Sequence, residues 1–382
     1  MRNILSMVVC LALSIMVGCG PKPIKQESLL DTPEYHYSLG AKYLEDRDYE
    51  KAAQEFNRAK ALNLKYCLAY IGLGLVEAET KNFKKAFSLM EEAKDLAETK
   101  IEKVESFIGM GRVISLKRAG DDWLEDACQE FKEALKIDSS NSKIYYFRGI
   151  AYEKAYQFSK SGDDFRKVLN FNTLYLKEAN EEWAKVQKIE RAAPGTMIGK
   201  KIALLEETDR SDIAALFIAE LNLDRFLRKR MPEEVDTSFK APQAKTALKS
   251  KSIEVPKITD VNDHWAKNYI EEVVKYGIIP TFPDHTFKPD ELITKTTFCK
   301  MILDLIVVIT GEYSLETKFI GSTSPFKDVR SDHFAFPAIM VTTTRGIIEP
   351  KDKINGLFGG LDKVSGPEAL LVLRNLKTAM QW

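Results

Sequence analysis

A chain of 382 residues with 45% apolar content has room for two or three domains and enough hydrophobic side chains to fill their cores. Its 56 Lys and Arg balance 56 Asp and Glu, which excludes a strongly basic nucleic-acid binder and a long acidic tail as properties of the whole chain. The four histidines (His36, His264, His285 and His333) are scattered without metal-ligand spacing, and no carboxylate pair or Ser/His/Asp arrangement rises above background. The residues therefore point to no enzyme, no cofactor, no metal and no nucleic-acid partner.

The first element is an address. Arg2 is followed by an apolar run from Ile4 to Val17, broken only by Ser6 and Ser14 and too short for a comfortable transmembrane helix. The run ends at Met16, Val17, Gly18 and Cys19, which resembles a bacterial lipoprotein box, with Met16 in place of the more usual leucine. The resemblance implies a signal peptide over residues 1–18, lipidation of Cys19 and a membrane partner reached through that N-terminal lipid. Gly20, rather than aspartate, after the cysteine favours the outer membrane, facing the periplasm. Residues 19–33 read as a flexible tether. Of the five cysteines, Cys10 leaves with the signal, and Cys67, Cys128 and Cys299 remain as widely spaced thiols without a disulfide pattern.

Residues 34–192 carry a repeat. A shift of 34 lays Gly40, Ala52 and Ala59 on Gly74, Ala86 and Ala93, with Phe56 on Met90. Small and large residues at these spacings share one face of each helix in a pair, so that the small ones admit the partner and the large ones fill the gap. A third unit keeps Ala127, Phe131 and Ala134, but Gly111 is displaced by four residues, as if a helical turn were inserted; a fourth returns with Gly149, Ser161 and Phe165. Tyr175, Ala179, Trp183, Val186 and Ile189 form the stripe of a capping helix. The pattern resembles the tetratricopeptide repeat (TPR), whose stacked helix pairs form an α-solenoid with a concave groove. Tyr37, Leu44, Ile71 and Leu75 are the candidate groove residues, suited to a protein or peptide partner that the sequence does not identify, or else to packing against a neighbouring repeat.

The remaining chain carries a second repeat. Asp260, Val261, His264, Trp265 and Ala266 precede a helical stretch that ends at Gly277, followed by Phe282, Pro283, Asp284 and then Thr294 opening an apolar helix. Asp263 and Thr294 are placed to cap helices, and Gly277 fits a left-handed helix stop. The order resembles the surface-layer homology (SLH) repeat over residues 258–310. A diverged copy over 325–377 keeps Asp328, Val329, His333, Gly346 and a Ser365/Glu368 capping box, with Phe334 in the tryptophan position. Residues 193–227 match only the closing half of such a repeat, at Thr208 to Leu216. Residues 228–257, with eight Lys/Arg against four Asp/Glu, read as a basic linker. The fold class expected is thus mainly α: a TPR-like solenoid, then an all-α SLH-like, pseudo-threefold helical domain with irregular loops, over 193–227 and 258–382.

The SLH resemblance implies clefts for an anionic cell-wall or surface polysaccharide, with a cation just after the cap of each closing helix. The matching positions are Arg210, Lys295 and Gly366, so two keep the cation, and Asp209 and Asp212 stand where they would neutralise Arg210. Trp265 either stacks on a sugar ring or fills the core. Asp284, Asp290 and Glu291 lack the alternation of a calcium loop. The expected function is a non-catalytic, lipid-anchored envelope scaffold joining a protein to a surface polymer. The alternative is a secretion or pilus assembly lipoprotein whose SLH-like unit is only structural.

Overall fold

The computed structural model describes residues 23–221, 223 and 257–381; Cys19, the signal segment and nearly all of the basic linker lie outside the described residues. Among the described residues the chain is α-helical with isolated β-bridges, and no helix is long and apolar enough to cross a membrane. It forms two compact units, Met1–Trp183 and Ala184–Trp382. The first is an α-solenoid and the second an all-helical domain.

The first unit holds four helix pairs: α1 (Pro33–Glu45) with α2 (Tyr49–Leu62), α3 (Cys67–Glu79) with α4 (Phe83–Leu96), α5 (Lys100–Lys117) with α6 (Trp123–Ile137), and α7 (Ser142–Lys154) with α8 (Phe158–Phe171). A Cβ on Gly40 would lie 2.8 Å from Phe56, on Gly74 2.8 Å from Met90, on Gly111 2.8 Å from Phe131 and on Gly149 2.8 Å from Phe165. Each large residue is fully buried, so every pair is keyed by one glycine and one bulky side chain. The first helices of successive pairs also stack, α1 on α3, α3 on α5 and α5 on α7, which sets them side by side along one face.

Helix starts are capped by Thr32, Asp48, Asn141 and a reciprocal Thr99/Glu102 box. The insertion in the third unit is not a simple extra turn between Gly111 and Ala127. Half of it forms the longer connection Arg118–Asp122, which passes through left-handed Arg118 (φ 48°) and Gly120 (φ 80°), while α5 gains its added length chiefly before Gly111. The next helix is α9 (Leu176–Ala192), and the division between the two units falls inside it.

Among its described residues the second unit contains three long helices, each preceded by a shorter one: α10 (Met197–Ile202) and α11 (Arg210–Leu221), α12 (Lys267–Lys275) and α13 (Lys295–Thr310), α14 (Phe336–Thr344) and α15 (Gly366–Ala379). Packing is cyclic: α11 meets α12, α13 meets α14, and α15 meets α10. α10 thus supplies the opening half that the sequence pattern does not reveal. Gly277 (φ 70°) ends α12 in the left-handed conformation expected of it, and Gly346 (φ 67°) ends α14 in the same way. Asp263 does not cap α12; there the Nδ1 of His264 accepts from the Ala266 N–H, and His333 does the same for Ala335.

Candidate functional site

Each unit carries its own candidate. In the solenoid, the stacked first helices enclose a cavity of about 420 Å³. All four groove residues expected from sequence, Tyr37, Leu44, Ile71 and Leu75, line it, from α1 and α3. Tyr146 and Phe147 of α7 add an aromatic wall, on which Tyr175 stacks at 4.6 Å from the Tyr146 ring, and Tyr37 rests 5.8 Å from the Phe56 ring. Burial pushes the hydroxyls of Tyr37, Tyr146 and Tyr175 upward.

The charged lining is uneven. Glu105 pairs with Lys143 at 2.6 Å. Glu45, Glu79 and Glu178 line the cavity without an ion pair, and Arg112 stacks on Phe147 with its guanidinium carbon 4.1 Å from the ring centroid. Sequence reasoning passed over Arg112, because one arginine in a helix of mixed polarity carries no periodic signal.

In the second unit the chain segments leading into the long helices form a closed ring of backbone hydrogen bonds. Thr208 N–H donates to Val364 O (2.8 Å), Val364 N–H to Ile293 O (3.1 Å), and Ile293 N–H to Thr208 O (2.9 Å). Two residues further on the ring repeats: Arg210 N–H to Glu291 O (3.0 Å), Lys295 N–H to Asp362 O (2.9 Å), Gly366 N–H to Leu205 O (2.9 Å). Arg210, Lys295 and Gly366 are therefore equivalent by a pseudo-threefold axis, each at the start of a long helix, where the helix dipole favours an anion although the first-turn N–H groups are already bonded, as Ser211 N–H is to Pro289 O and Thr296 N–H to Gly360 O.

The three positions differ in chemistry. The Arg210 guanidinium donates from Nε to Phe287 O (2.7 Å) and from Nη2 to Pro280 O (3.2 Å), between the rings of Phe282 (4.9 Å) and Phe287 (4.7 Å). Burial lowers its pKa. Asp209 and Asp212 do not neutralise it, contrary to the sequence expectation; each instead accepts from the other's backbone N–H as a reciprocal cap. Lys295 occupies the equivalent place with Nζ 5.3 Å from the Phe358 ring and 3.8 Å from a Glu368 carboxylate oxygen. Both cations are largely covered, at 8% and 7% exposure. At Gly366 a Cβ would stand 1.7 Å from the carbonyl oxygen of Ile202, so the end of α10 fills the space where a third cationic side chain would leave the backbone. A side chain is excluded there by geometry.

The loops facing these positions are built alike. The Asp260 carboxylate accepts from Phe287 N–H (2.8 Å) and Lys288 N–H (2.7 Å); that of Asp328 accepts from Phe358 N–H and Gly359 N–H (both 2.8 Å). Lys288 (φ 55°) and Gly359 (φ 75°) share the left-handed turn this requires. Trp265 is 56% exposed and Phe334 79%, so neither fills the core, and the second of the two sequence alternatives for Trp265 is set aside. Asp284 accepts from Thr286 in a local turn, and no group of three or more potential metal ligands occurs among the described residues.

Residues 257–299 match the family described as the S-layer homology domain. Similar proteins include Cell surface glycoprotein 1 of Acetivibrio thermocellus, 30% identical over 105 residues, covering 27% of this chain and 4% of that one. Amylopullulanase of Thermoanaerobacterium thermosulfurigenes is 32% identical over 94 residues, covering 25% of this chain and 5% of that protein. Exoglucanase XynX of Acetivibrio thermocellus is 30% identical over 94 residues, again 25% of this chain and 8% of the relative. The chain thus spans less than a tenth of the length of each of these relatives. An S-layer homology domain is present at residues 257–299.

Proposed function

We propose that the chain is a non-catalytic cell-envelope lipoprotein that holds a surface polymer and a partner protein at one membrane. Acylation at Cys19 fixes it there, with outer-membrane placement facing the periplasm. The solenoid of residues 34–192, read as TPR-like, recruits the protein, and residues 193–227 with 258–382, read as three SLH copies of which the first has a shortened opening helix, engage cell-wall or surface polysaccharide. Association with the cell surface is supported by the S-layer homology match and by the surface glycoprotein among the relatives. The observation that carries the polymer role is the ring that makes Arg210 and Lys295 equivalent, each at a helix start beside a buried phenylalanine. An anion placed there meets fixed positive charge at the positive end of a helix dipole. Exposed Trp265 and Phe334 would offer flat apolar faces to sugar rings.

One observation favours the second reading, a secretion or pilus assembly lipoprotein with a purely structural C-terminal unit: Arg210 and Lys295 are nearly covered, and two of the Arg210 donors already reach carbonyls. Sedimentation of the acyl-free chain with purified sacculi separates the two. The polymer role predicts pelleting that is lost in Arg210→Ala/Lys295→Ala with unchanged helical circular dichroism. Absence of pelleting for the unmutated chain would assign the unit a structural role.

A further inference from the structure

The solenoid cavity has a defect that points to its occupant. The guanidinium of Arg112 lines the cavity, stacked on Phe147, yet donates no hydrogen bond to any described residue and forms no ion pair. A half-buried arginine whose donors meet no protein acceptor relies on water and on the field of Glu79 and Glu105 to offset the burial of its charge, and a carboxylate brought to it would answer those donors directly. Burial lowers its pKa here. Glu105, on the same helix, is already held by Lys143 at 2.6 Å. The same cavity is lined by three carboxylates without an ion pair among the described residues, Glu45, Glu79 and Glu178, together with Tyr37, Ile71 and Leu75.

These features define a complementary charge pattern. We infer that the cavity takes an extended segment of a partner protein carrying one carboxylate that pairs with Arg112, an adjacent apolar side chain, and a lysine or arginine answering the surrounding glutamates. The inference rests on the proposed protein-recruiting role of the solenoid and specifies the chemistry of its partner. A planar guanidinium backed by an aromatic ring presents its donor edge for two-point contact with a carboxylate. The three glutamates reject a polyacidic segment by like-charge repulsion, so the pattern selects a single acid beside a base. A cavity of about 420 Å³ holds a few side chains, matching a short motif and not a whole helix.

The test uses the intact acyl-free chain and an immobilised library of heptapeptides with randomised residues, read by sequencing the retained peptides. The expected result is at least tenfold enrichment of Asp or Glu at one position with Lys or Arg nearby. That enrichment is lost in Arg112→Met and in Arg112→Gln and partly kept in Arg112→Lys. A second readout guards against misfolding: since Arg112 lacks an acceptor, Arg112→Met should keep or raise the thermal midpoint while losing selection. Retention of apolar peptides with no acidic preference, or an acidic preference that survives in Arg112→Met, overturns the carboxylate inference while leaving a peptide-binding groove in place. Retention of no peptide overturns both. A lowered midpoint in Arg112→Met shows that the arginine is structural and likewise overturns the inference.

Discussion

Gly366→Ala sets two physical effects of opposite sign against each other. Gly366 is the first residue of α15 and has no left-handed φ, so helix propensity alone makes alanine better by about 1 kcal/mol. Sterics oppose it, because the added Cβ would lie 1.7 Å from the Ile202 oxygen and 2.7 Å from its carbonyl carbon. Reaching ordinary contact at about 3.5 Å requires the end of α10 to retreat by roughly 1.8 Å. That movement breaks the Gly366 N–H to Leu205 O bond and strains the neighbouring bond from Thr208 to Val364. Two such bonds contribute about 1 kcal/mol each, and overpacking adds about 1–3 kcal/mol, so the net expectation is a loss of about 2–4 kcal/mol. Urea unfolding of the intact chain measures it, and hydrogen exchange localises it: peptides from α10 and α15 should exchange faster, with those from α1–α8 unchanged. A variant stabilised by about 1 kcal/mol, or unaltered exchange at 197–209, would refute the view that α10 occupies the third cation position.

Other expectations follow from the same geometry. Burial and the adjacent Asp209 raise the Asp212 carboxyl from 3.8 to about 6. The folded unit therefore holds a proton that the unfolded chain releases, and stability falls as pH climbs from 4 to 6, by about 1–3 kcal/mol. Asp212→Asn should flatten that slope and stabilise the second unit at neutral pH; urea midpoints measured across pH 4–7 check it, and a slope retained in the variant would contradict it. Burial pushes the Cys67 and Cys299 thiols up to about 12, while Cys128 is only half-buried. Limited alkylation at pH 8, followed by mass spectrometry, should modify Cys128 first. Trp265→Ala with Phe334→Ala should change stability by no more than about 0.5 kcal/mol, since both are exposed, while weakening pelleting with sacculi.

The solenoid was legible because helix packing writes itself into sequence at fixed spacing. Gly40 must face Phe56 and Gly149 must face Phe165 across the same turn geometry, and the repeat of 34 exposes this directly. The caps at Thr294 and Gly277 were legible for a similar local reason. α10 was not, since six residues carry too little periodicity to stand out. Nor was the closure at Gly366, which depends on a carbonyl 164 positions earlier in the chain. Trp265 shows the limit of composition: tryptophan usually belongs to cores, and only the fold reveals it at the surface. Arg112 stayed hidden because what matters is the acceptor it lacks, a property of the neighbours that α3 and α7 bring to it.

The central claim is that one molecule joins a membrane to a surface polymer. Vesicles carrying the chain acylated at Cys19, mixed with purified sacculi and spun at a speed that leaves free vesicles suspended, test it directly. The account predicts that lipid enters the pellet with the acylated wild type, and stays in the supernatant with the acyl-free chain or with Arg210→Ala/Lys295→Ala. Vesicle lipid that remains suspended beside fully acylated, folded protein would contradict it.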